Sequence, residues 1–135
     1  MSVHIEKRTP KIIVHRTWTL ENEEPYSEVE NPDVPEALMA FAEEVRGNGG
    51  ARIAVTTDFG MKDFGNGASG SVTISMDCNQ DDKTMQGVAQ ALSQWSIGLT
   101  EQHWRAADQK FQQMYFERHP EKAPMVHQTP PPFKP

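Results

Sequence analysis

An internal disulfide is impossible here, because the chain holds one cysteine, Cys78. The fold must stand on packing alone, and such a chain is at ease in a reducing compartment. Long apolar runs are missing as well. No stretch reaches the about 18 consecutive apolar residues that a bilayer span requires, and the opening MSVHIEKRTPKIIVH has no run of signal-peptide length. The expectation is a cytoplasmic protein with no membrane partner. Net positive charge is absent too: 13 Lys and Arg against 19 Asp and Glu leave −6. That disfavours a general hold on phosphate backbones, since nucleic-acid domains carry a basic surface that releases counterions. Apolar residues make up only 36% of 135, and the ten prolines fall mostly outside the middle of the chain. One compact domain with polar ends follows: an N-terminal segment 1–10, a domain 11–119 and a proline-rich tail 120–135.

What the sequence does have is a patterned centre. Ile53, Val55, Thr57 and Phe59 alternate with Arg52, Ala54, Thr56 and Asp58, and Val72, Ile74, Met76 and Cys78 alternate with Ser71, Thr73, Ser75 and Asp77. Each run predicts a strand with one apolar and one small polar face, the two joined by a glycine-rich connection from Gly60 to Gly70. Upstream, KIIVHRTWTL is rich in β-branched residues and predicts a first strand, with Ile12, Val14, Trp18 and Leu20 inward. Arg16 falls on that apolar side, its head expected at an edge. The acidic stretch ENEEPYSEVENPD reads as a surface loop. Asp33 with Glu36 then fits a capping box, opening a helix from Val34 to Arg46 that ends at RGNGG.

After Cys78, Asn79 or Asp81 can cap a second helix in which Met85, Val88, Leu92, Trp95 and Leu99 share one stripe. Trp104, Phe111 and Tyr115 do not continue its phase, which predicts a kink or a break between Gly98 and Thr100. The expected fold is α+β, a two-layer sandwich in the order β-α-β-β-α, with a three-stranded sheet carrying both helices on one face.

Several motifs suggest chemistry and fail on context. GNGASGSV matches the kinase glycine loop, and a DFG stands at Asp58–Gly60, yet the DFG precedes the glycines and no lysine strand or catalytic loop follows. The same glycines open a strand and not a helix, which argues against a dinucleotide site. DCNQDD starts like an EF-hand but has aspartate where the turn needs glycine and Val88 where calcium needs glutamate. Cys78 with His103 as its base has no cysteine-protease signature around it, and a lone inward cysteine reads as a small core residue. The histidines show no zinc spacing. No catalytic residue, metal or cofactor is expected, and the chain reads as a non-enzyme.

SVTISMDCNQDD, a strand running straight into a long helix, resembles the small accessory proteins of bacteriophages, a similarity of pattern spanning Arg52 to Tyr115. It implies an interaction protein and assigns no residue a role. The expected function is therefore a protein-binding or adaptor protein that associates with itself as a dimer. Its contacts would be Met61, Lys62 and Phe64 at the hairpin tip, Trp104, Phe111 and Tyr115 on the last helix, and Phe133 in the tail, whose polyproline character suits groove docking. The alternative is a nucleic-acid-binding module using Lys7, Arg8, Lys11, Arg16, Arg52 and Lys62.

Overall fold

A computed structural model of the chain describes residues 10–60 and 66–122. In chain order its elements are β1 (Lys11–Thr19), β2 (Tyr26–Glu30), α1 (Glu36–Val45), β3 (Ala51–Gly60), β4 (Gly67–Cys78) and α2 (Asp82–Arg118), followed by a short 3-10 turn (Pro120–Lys122). The strands form one antiparallel sheet in the order β2-β1-β4-β3. The α+β class is as the patterning predicts. The strand count and element order are not: the sheet has four strands, and the acidic segment predicted as a loop supplies the extra one. YSEVE alternates after all, pairing Trp18 with Tyr26, Arg16 with Glu28 and Val14 with Glu30. Its carboxylates sit on the helix-covered face because cations from β1 and α2 meet them there.

The central hairpin forms in the predicted register of faces. Val72, Ile74, Met76 and Cys78 of β4 are fully buried, with Ile12, Val14 and Trp18 of β1 beside them. Leu38 of α1 and Val88 and Leu92 of α2 close the core from above. The connection is shorter than expected, because pairing persists to Gly60 opposite Ser69, so Gly67–Gly70 belong to β4.

Of the two predicted helix caps, the first differs in the structure and the second is one of the two residues expected. The Asp33–Glu36 capping box does not form: Pro35, extended at φ −59° and ψ 145°, takes the cap position, and its carbonyl accepts the N–H groups of Leu38 and Met39, both at 3.0 Å. At the second helix Asp81 is the cap, its carboxylate accepting the Thr84 N–H at 2.9 Å.

The predicted break in α2 is absent; the helix runs 37 residues without interruption. The phase shift has another cause. The helix crosses the sheet obliquely, so the buried stripe rotates along it. Ser96 meets Thr57 on β3, Ala107 meets Trp18 on β1, and Lys110 meets Glu28 on β2. Nothing lies within 4 Å of the position a Cβ on Gly98 would take, so packing does not force a bend there. The fourth strand supplies the surface that the distal half of the helix covers.

Candidate functional site

Where α2 passes over β1 and β2, the sequence places an unusual density of polar groups under the helix. Arg16 lies among apolar neighbours on β1 with its side chain only 11% exposed. Its guanidinium donates to Glu30 at 2.9 Å and to Nδ1 of His103 at 3.0 Å, and Glu28 is 3.7 Å away. Glu28 in turn accepts from Lys110 at 3.0 Å and from the Tyr26 hydroxyl at 2.9 Å. Those two hydrogen bonds, Lys110 first, hold its carboxyl below the ordinary range. Lys110 also stands 4.3 Å from the centre of the Trp18 ring and 4.9 Å from that of Tyr26. The cluster couples β1, β2 and α2, and each charge in it has an opposite partner.

Arginine only donates, so His103 must accept at Nδ1 and carry its proton on Nε2. Burial, reinforced by the Arg16 charge, lowers its pKa below the usual value. Above about pH 6.5, the ordinary histidine value, folded and unfolded chains both hold this ring neutral. Below it the unfolded chain takes up a proton first, so stability is lost as pH falls through the lowered folded value. Urea midpoints measured from about pH 7.5 down to about pH 5 should therefore fall, and His103→Gln, whose amide oxygen accepts from Arg16 without titrating, should flatten the decline. Identical slopes in the two proteins would show that His103 is not the group responsible.

The other candidates disperse. Cys78 is fully buried, and burial followed by the nearby Asp81 and Asp77 charges pushes its thiol up, away from nucleophilic use. His103 is not its neighbour: it binds Arg16, which pairs with Gly70, eight residues along β4 from Cys78 and roughly 26 Å away at strand rise. The acidic run is structural, Asp77 receiving Arg52 at 2.7 Å and Asp81 serving as the helix cap. Among the described residues no group of three or more His, Cys, Asp or Glu could hold a metal.

Of the residues predicted to contact partners, Trp104 and Phe111 pack against the core, half-buried. Trp104 lies 6.2 Å from Phe59, and Phe111 stacks on Tyr115 at 5.8 Å. Met61, Lys62, Phe64 and Phe133 lie outside the described residues, as do Lys7 and Arg8. Lys11 is exposed, and Arg52 is tied to Asp77 and, at 2.9 Å, to Ser75.

What sequence reasoning missed is the contrast between the two sheet edges. The β2 edge is five residues long, acidic, and bounded by Pro25 and Pro32, features that blunt further pairing. The β3 edge is ten residues long, without proline, and has one charge of each sign, Arg52 and Asp58. It takes no strand partner on its outer side among the described residues. Beside it on α2 stands Ile97, one of the few large apolar side chains left exposed, at 61%. The face of the sheet away from the helices is small and hydroxylated, with Thr17 bonded to Ser27 at 3.0 Å and Thr56 to Thr73 at 2.8 Å. A separate cleft of about 330 Å³ lies along α2, lined by Trp95, Gly98 and Leu99 between Gln94 and Gln102.

The chain matches no family model, no curated protein and no solved structure. No helix among the described residues is long and apolar enough to cross a membrane.

Proposed function

We propose that the chain is a non-enzymatic protein-binding module, an accessory or adaptor protein of the kind bacteriophages encode, which acts in the cytoplasm and associates with itself. The observation that carries this reading is the β3 edge, which takes no strand partner among the described residues, since a long regular edge without proline is a template for pairing with another chain. The groups that sequence reading weighed for chemistry support it by being occupied: Cys78 in the core, His103 against Arg16. A nucleic-acid role would draw on Lys11, Arg16 and Arg52 among the described residues. Two of these are already answered by carboxylates, Arg16 by Glu30 and Arg52 by Asp77, which favours protein over phosphate as the ligand.

Light scattering at micromolar concentration should give twice the 15.2 kDa mass of the chain. A particle of single-chain mass would remove self-association from the proposal. Oligonucleotides at about 50 mM salt, where phosphate contacts are strong, should leave the protein unbound.

A further inference from the structure

We infer that β3 pairs with β3 of a second copy, antiparallel about a twofold axis at Val55, making a continuous eight-stranded sheet. The inference rests on the self-association proposed above and names its surface and register. In an isologous contact each residue i meets a residue j and j meets i. With the axis at Val55, Arg52 of one copy stands opposite Asp58 of the other, and Asp58 opposite Arg52. Both are exposed and both lie on the face away from the helices, so each dimer gains two cross-strand pairs of opposite charge. Sliding the register by two residues breaks both pairs: in one direction Arg52 faces Thr56 and Asp58 faces Gly50, in the other Arg52 faces Gly60 and Asp58 faces Ala54. The two charges of β3 thus select one pairing out of several. Arg52 would then bridge Asp77 on its own β4, at 2.7 Å, and Asp58 of the second copy.

The helix layer fits the same axis. Trp104 lies against Phe59 on β3 while its neighbour His103 reaches Arg16 on β1, which fixes the flank of α2 that faces the β3 edge. Ser93, Ile97 and Thr100 step by four and three along the helix to that same flank. Ile97, the exposed member, is the residue this contact would cover. Because α2 packs over β3 and β4, its axis would stand about 10 Å from its symmetry mate when strands are about 4.8 Å apart, the ordinary distance for packed helices. The cleft at Trp95 and Leu99 lies on the opposite flank and takes no part.

The test is charge reversal in the full chain, read by sedimentation equilibrium. Asp58→Arg puts Arg52 against arginine, and Arg52→Glu puts Asp58 against glutamate. Each variant alone should dimerise at least about 10-fold more weakly than the parent, since both pairs turn from attractive to repulsive. An equimolar mixture of the two should regain dimers, because every contact across the axis is again between opposite charges; misfolded chains would not rescue one another. Ile97→Glu should weaken the dimer while leaving the far-ultraviolet circular dichroism of the folded chain unchanged, since the side chain is exposed in the single chain. A parent dimer indifferent to both reversals would overturn the edge pairing while leaving self-association standing. A monomeric parent would overturn both.

Discussion

Gly70→Ala is expected to destabilise the fold by about 3 kcal/mol, the upper part of the range for overpacking, and to lower the melting temperature by about 10 °C. Gly70 sits in β4 between Phe59 on one neighbouring strand and Arg16 on the other. A Cβ there would stand 2.0 Å from the carbonyl oxygen of His15 and 2.6 Å from the Phe59 ring. The second clash could be relieved by a rotation, but the first is with backbone. Strand β1 would have to move away from β4, and β1 carries Arg16, Val14 and Trp18 into the core and the polar cluster. Phe59 is itself held against Trp104, so its ring has little room to swing. The glycine is a packing device: the aromatic ring from the next strand takes the space its side chain leaves. Thermal melts followed by circular dichroism measure the effect, and Ser69→Ala, one residue away and on the other face, should change it little. A Gly70→Ala protein as stable as the parent would mean that the close approach of β1 is not required.

The same residue shows what could and could not be read in advance. In sequence, Gly67 and Gly70 look like part of a loop, because glycine is scarce in strands and common in turns. Their strand role appears only when β1 and β3 are placed on either side of them. The alternating residues of β3 and β4 were legible because a period of two survives whatever the neighbours are. Which of the two strands is central was not. Ile53 and Val55 look as apolar as Ile74 and Val72, yet the former are half-buried and the latter fully buried, because β1 inserts beside β4 and leaves β3 at the edge.

β2 was hidden for a related reason. Glu28 and Glu30 read as solvent-facing until Arg16 and Lys110, 14 and 82 residues away in sequence, are brought to them. The continuity of α2 was lost to a local reading of Gly98, when the rotation of its buried stripe records the geometry of the sheet beneath. The candidate docking edge is accordingly a property of strand order, and a single sequence does not print strand order.

Truncating Trp18 to alanine is expected to cost about 3–5 kcal/mol, the range for deleting a large buried ring. The side chain is 2% exposed, and its indole N–H donates to the Ala107 carbonyl of α2 at 2.9 Å. With the Arg16 bond to His103, it ties β1 directly to the distal half of the helix. The ring also carries Lys110 on its face at 4.3 Å and Tyr26 at 5.6 Å. Removing it leaves a cavity under Ala107, takes away the ring face on which the Lys110 ammonium sits, and weakens the hold of Lys110 on Glu28. Trp18→Phe separates these contributions. It keeps most of the packing and the aromatic face but removes the indole N–H, so the Ala107 carbonyl loses that donor without being left over a large cavity, and the loss should be about 1 kcal/mol. Urea unfolding followed by far-ultraviolet circular dichroism, which does not depend on indole emission, gives both values. Equal losses in the two variants would place the stabilisation in the hydrogen bond to α2, whereas a phenylalanine variant near the parent and an alanine variant far below it would place it in the ring that joins β1, β2 and the helix.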